Sequence, residues 1–130
     1  EVPRLMSNLI SWFRENRTRI HTIELAAIFH HKLVNIHPFV DGNGRTARLM
    51  LNIILMNEGY PLTIVLKNDR MAYYDTLIKA DDGNVGPFAV FIARALERSL
   101  DIYLEAVGFN DNKNTEFIPL SSLAKKSFIS

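Results

Sequence analysis

The sequence predicts a helical protein built as one domain, and three observations carry that prediction. Apolar residues recur every three or four positions in five successive stretches. Glycine, proline and Asp-Asn clusters fall at the ends of those stretches and break them apart. The apolar share, 48% of 130 residues, is enough for one core and too little for a second independent domain.

The first stretch, residues 2–14, places Leu5, Met6, Leu9, Ile10 and Phe13 on one face, with Trp12 free for a second contact. The second opens at Thr22, read as an N-cap with Glu24 in the first turn, and carries Leu25, Ile28, Phe29 and Leu33 to Ile36. Pro38 ends it, because proline disfavours helical geometry at the residue before it, so His37 is expected in an extended conformation just past the helix. A third helix is expected from about Gly44 to Gly59. It is apolar nearly all round, which marks it as a central buried helix, with Arg45, Arg48 and Asn52 as its single polar stripe. Residues 69–80 read as a short helix with Tyr73, Tyr74, Leu77 and Ile78, closed by the turn from Asp81 to Asn84. Residues 86–106 form a last long helix. The domain core is placed at 1–109, followed over 110–130 by a polar linker and the start of a further helical segment.

Composition removes several functions. With 15 basic and 14 acidic residues the formal charge is +1, so nothing favours bulk binding to nucleic acid or to a membrane surface. There is no cysteine, hence no disulfide framework. The longest apolar run, 49–56, is interrupted by Asn52 and far too short to span a bilayer. A cytoplasmic setting is the expectation. The chain begins with Glu1 and is expected to be a fragment.

Chemistry concentrates in His37-Pro38-Phe39-Val40-Asp41-Gly42-Asn43-Gly44-Arg45-Thr46-Ala47-Arg48. A helix N-terminus entered through glycines offers free N–H groups and a positive dipole end to phosphate oxygens. Arginines there are repelled by that dipole, by roughly 0.3 to 1 kcal/mol each, so Arg45 and Arg48 make sense with an anion between them. A polyphosphate supplies such charge. Asp41 beside it is placed to hold Mg2+, which prefers carboxylate and phosphate oxygens together. His37, of a residue type that titrates at about 6.5 when unperturbed, is the one group in the run suited to take a proton from a hydroxyl at neutral pH. The glycine pair is not a Walker P-loop, for the spacing and the Gly-Lys-Ser/Thr ending are missing. His21, His30 and His31 read as hydrogen-bonded structural residues, and Phe39 reads as a core anchor.

These residues resemble the Fic-domain proteins, whose motif His-Pro-Phe-x-Asp/Glu-Gly-Asn-Gly-Arg-x-x-Arg is matched in full from His37 to Arg48. The resemblance extends from Val2 to about Ala106 and includes Asp69-Arg70 and Tyr73-Tyr74. It implies an all-α fold of the Fic type and transfer of AMP from ATP, with release of pyrophosphate, to a Ser, Thr or Tyr hydroxyl of a target protein. It further implies His37 as the base, Asp41 as the Mg2+ ligand, and Gly42, Asn43, Gly44 and Arg45 as the anion hole for the α- and β-phosphates. Arg48 would meet the γ-phosphate, and Tyr73 and Asp81 fall where relatives contact the nucleoside, although asparagine is common where Asp81 stands. In phosphate-transferring relatives a lysine replaces the second motif glycine, so Gly44 argues for AMP transfer.

The flap that aligns targets in family members would lie upstream of Val2, so target choice is not legible. Ser11 to Asn16 fit the letters of the family's inhibitory motif, but they sit in the first helix and are read as a chance match. Two alternatives stay open: removal of AMP from a modified protein by the same site, and a module that binds nucleotide without turnover. A homodimer is compatible with the sequence and nothing in it requires one.

Overall fold

The computed structural model describes residues 1–108. Among them are five α-helices and no strand: α1 (Val2–Asn16), α2 (Thr22–Ile36), α3 (Asn43–Asn57), α4 (Arg70–Asp81) and α5 (Gly86–Ala106). A 3-10 turn, Lys67–Asp69, leads into α4. The expected linker and further segment over 110–130 lie outside the described residues.

The hub is α2, which packs against α1, α3 and α5, while α4 packs on α5. Its sequence explains this. Ala26 and Ala27 are fully buried and bring neighbouring helices close, with Ile23, Leu25, Phe29 and Leu33 filling the spaces beside them. The central place expected for α3 therefore belongs to α2. Helix α3 buries Ala47, Leu51, Ile54 and Leu55 but leaves Leu49, Ile53 and Met56 exposed along its outer side. An apolar pattern nearly all round does not tell a helix buried on every side from one with an uncovered apolar face.

Local chemistry moves several boundaries by a residue or two. The cap of α2 is His21, not Thr22, because the His21 Nδ1 accepts from the Ile23 N–H at 3.2 Å. Helix α1 runs to Asn16, whose amide donates to the Trp12 carbonyl at 2.8 Å. Between α3 and α4 the chain is held by a buried asparagine. Asn52 Oδ1 accepts from the Thr63 N–H at 2.7 Å and its Nδ2 donates to the Thr63 carbonyl at 3.0 Å. Its remaining contact, at 3.2 Å, is with the carbonyl of Arg48 and not with the guanidinium, so Asn52 joins α3 to the 60–66 segment. Arg98 on α5 secures the far end of that segment, donating to the Ile64 carbonyl at 3.1 Å and pairing with Asp69 at 2.9 Å.

One buried group makes the core sensitive to acid. His30 is fully buried, and burial lowers its pKa from 6.5 to about 4; the Ala47 backbone pulls partly the other way, while the charges of Arg48 and His31 add to the lowering. In the unfolded chain the imidazole takes a proton below about pH 6.5, but in the fold it stays neutral down to about 4. Its contribution to stability is thus intact above 6.5 and lost as the pH falls from 6.5 to 4, by about 3 kcal/mol. Guanidinium unfolding of the native chain and of His30→Leu across this range should show the steeper decline in the native chain. Equal slopes would mean that His30 charges freely within the fold.

Candidate active site

The motif loop lies between the end of α2 and the start of α3, and its shape comes from its own residues. His37 closes α2 in the left-handed conformation, φ 53° and ψ 58°, with its N–H on the Leu33 carbonyl at 3.2 Å. The extended conformation expected before Pro38 is not adopted. Proline only disfavours the right-handed form, and the left-handed one lets the His37 N–H satisfy a carbonyl at the helix end. Apart from glycines, His37 is the only described residue with positive φ. Its side chain is exposed.

Phe39 is not a core anchor: it is 52% exposed. The loop is fastened by Asn43 instead, which is 7% exposed. Its Oδ1 accepts from the Phe39 N–H at 2.9 Å and its Nδ2 donates to the Phe39 carbonyl at 2.8 Å. Gly42 then turns with φ 79°, open to glycine at little strain, and its carbonyl accepts the first helical bond from Thr46. No side chain caps α3 and no acidic residue occupies its first turn, so the Asn43, Gly44 and Arg45 N–H groups keep the capacity to bind an anion.

Charges of both signs border this N-terminus. Asp41 Oδ1 accepts from the Gly42 N–H at 2.8 Å, and its Oδ2 lies 4.0 Å from the Arg45 guanidinium, both side chains well exposed. Arg48 has no carboxylate partner among the described residues; Glu15 on α1 makes no ion pair with it. Its guanidinium folds back over Gly44, where an added Cβ would come within 3.2 Å of it, and stands 5.9 Å from the centre of the Tyr73 ring.

Arg48 also opens onto a cavity of about 230 Å3 with Lys67, Arg70, Tyr73 and Tyr74, floored by Val65 and Leu66. A larger groove of about 650 Å3 runs between α1 and α2 along Leu5, Leu9, Trp12 and Ile28, but it is mainly apolar and Lys32 is its only lysine or arginine. The smaller cavity is the better match for a polyphosphate. Lys67 and Arg70 did not emerge from the motif. Their spacing of three, with Tyr73 three further on, is the signal that places them on one side of α4 and its leading turn.

The structure treats the two nucleoside candidates differently. Tyr73 is 3% exposed, and its hydroxyl is 2.7 Å from His30 Nε2; it lines the cavity from a buried position, while Tyr74 is the open one of the pair. Burial raises the Tyr73 pKa, which the neighbouring Arg48 counteracts. Asp81 lies apart from the cavity, with Oδ1 2.8 Å from His31 Nε2, and Asn35 reaches the same imidazole nitrogen at 3.1 Å. The His31 and Asn35 hydrogen bonds hold the Asp81 carboxyl below its ordinary range.

The donor set fits Mg2+ in one way. Among the described residues no three His, Asp or Glu side chains gather, so an all-protein cage is not offered. A single exposed carboxylate beside phosphate oxygens is, however, a usual way of binding this ion. Asp41 fits that description.

A helical domain whose anion-binding helix start is bordered by an exposed histidine, one carboxylate and two arginines has the makings of a nucleotide-handling site. The sequence pattern of the Fic/DOC family matches residues 1–55, which take in the whole motif loop. The chain is 48% identical over 103 residues to Protein adenylyltransferase Fic of Aedes aegypti, a match covering 78% of this chain and 21% of the relative. It is 48% identical over 107 residues to Protein adenylyltransferase Fic of Drosophila melanogaster, covering 82% of this chain and 22% of the relative. Among solved structures, Fic-1 from C. elegans superposes with a TM-score of 0.78 at 42% identity, over 81% of this chain and 32% of that one. A Fic domain containing signaling protein from Bacteroides thetaiotaomicron superposes with a TM-score of 0.77 at 31% identity, over 82% and 46%. The chain belongs to the Fic/DOC family. It spans about a fifth of the length of the curated relatives it matches. As for membranes, no helix among the described residues is long and apolar enough to cross one.

Proposed function

We propose that this chain is the catalytic core of a protein adenylyltransferase that moves AMP from Mg-ATP to a Ser, Thr or Tyr hydroxyl of a target protein. The observation that carries this reading is the uncapped start of α3, next to exposed His37 and followed by Arg45 and by Arg48, which has no carboxylate partner among the described residues. The names of the insect relatives support it.

In this reaction the target oxygen forms a bond to the α-phosphorus, the bond between that phosphorus and the oxygen bridging to the β-phosphate breaks, and pyrophosphate leaves. His37 Nδ1 or Nε2 takes the hydroxyl proton. The Asn43, Gly44 and Arg45 N–H groups and the Arg45 guanidinium hold the α- and β-phosphates, where a preorganised donor set is worth most. Gly42 supplies the left-handed turn that opens this helix start. Arg48 takes the γ-phosphate at the mouth of the cavity, and Tyr73 and Tyr74 border the space beside it. Asp81 is the outermost nucleoside candidate and must leave His31 to reach a ligand. Mg2+, when held by Asp41 together with the phosphates, neutralises charge that develops on the leaving group. The cytoplasmic setting suggested by the lack of cysteine belongs to the same proposal.

The test is incubation with Mg2+, a cell lysate and ATP labelled at either the α- or the γ-phosphate. Protein label from α alone is expected. Label from γ would make the chain a phosphotransferase with a reversed nucleotide, and label from neither would leave nucleotide binding without turnover. The de-AMPylating alternative calls for a glutamate to align water; among the described residues none lines the 230 Å3 cavity.

A further inference from the structure

We infer that His30 is a positioning residue for Arg48, acting through Tyr73: the imidazole fixes the tyrosine ring against which the arginine is held at the cavity mouth. This rests on the reading of Arg48 as the γ-phosphate ligand.

Packing alone does not account for a histidine at this place. His30 is fully buried on α2, stacked on Phe88 with ring centres 5.2 Å apart and set edge-on to Tyr73 at 5.7 Å. Burial strips both ring nitrogens of water, whereas a leucine or phenylalanine would fill the same space with no polar atom to satisfy. What the imidazole supplies and those apolar side chains do not is the 2.7 Å contact between Nε2 and the Tyr73 hydroxyl.

The tyrosine passes this constraint outward. With its hydroxyl tied at the core end, the ring has one orientation, tilted between Phe88 and Phe91 with centres 6.0 Å from each. Arg48 stands 5.9 Å from that ring, within the range of cation–π attraction. It also lies against Gly44, whose missing Cβ leaves the room that the guanidinium occupies. No carboxylate among the described residues competes for Arg48. Tyrosine ring and glycine backbone are therefore what hold an otherwise unpaired arginine, and His30 holds the tyrosine.

The experiment compares ATP and ADP binding by calorimetry in the full chain, since only ATP presents a γ-phosphate to Arg48. His30→Leu is expected to weaken ATP binding 3- to 10-fold and to leave ADP within 2-fold. Tyr73→Phe, which removes only the hydroxyl, should do the same, and the double variant should be no worse than either. His30→Gln, able to bond the hydroxyl again, should restore part of the loss. If ATP and ADP affinity fall together, or if Tyr73→Phe leaves the ATP preference intact, the inference is overturned and His30 serves stability alone. Should His30→Leu fail to fold, Tyr73→Phe decides the matter. An Arg48→Ala arm separates the premises: no change in ATP preference there would refute the γ-phosphate role of Arg48 itself.

Discussion

His37→Ala is expected to remove nearly all transfer of α-phosphate label to protein while leaving ATP affinity within about twofold. A positioned base contributes about 10²- to 10⁴-fold, and no second histidine borders the start of α3. The groups that hold phosphate are different ones: backbone N–H groups of α3, Arg45 and Arg48. Among the described residues the imidazole makes no hydrogen bond, and the bond that closes α2 comes from the His37 backbone, which alanine retains. The variant should thus unfold close to the native chain in guanidinium, so that lost activity is read as chemistry. Transfer persisting at more than about a tenth of the native rate would mean that the proton leaves by another route.

Asn43→Ala should be nearly as damaging for a different reason. Both hydrogen bonds that bring Phe39 back over the start of α3 come from this one side chain. Their loss should lower stability by about 1 to 3 kcal/mol, since the two backbone groups of Phe39 are only partly shielded and water replaces the amide. Transfer should drop by about 100-fold or more, because a displacement of about 1 Å in a reacting group is enough for that. Asn43→Asp is the informative companion. It retains the acceptor for the Phe39 N–H but places a negative charge beside the anion site, so ATP binding should weaken beyond the effect of alanine. If ATP binding to the aspartate variant equals that to the alanine variant, the phosphates do not lie at this helix start.

Most of the helical layout was legible because periodicity survives tertiary packing: α5 falls where its pattern places it, and α1 and α2 differ from expectation by two residues or fewer. The candidate site was legible as a list of residues because the motif is dense and its residue types have few other uses in combination. Placement was the harder matter. Phe39 looked like core, yet its backbone is satisfied by Asn43 and its ring is left outside. Asn52 shares a helical face with Arg48, but the nearer claim on its amide is the Thr63 backbone, a loop partner that spacing along one helix does not disclose. Nor does spacing reveal that Tyr73, not Tyr74, is the buried one, since that depends on the His30 partner 43 residues earlier.

The motif loop has a further property that follows from where its bonds fall. Phe39 to Asn43, Asp41 to Gly42, and Thr46 to Gly42 are all linked across four residues or fewer. Closing such short spans requires little chain entropy and no distant partner. The loop's shape therefore depends on bonds made within a few residues, and not on the longer-range pairing of His30 with Tyr73. Its shape is portable: what lies far away in the chain can diverge, lengthen or be exchanged without redrawing it, provided a helix enters at His37 and another leaves at Asn43.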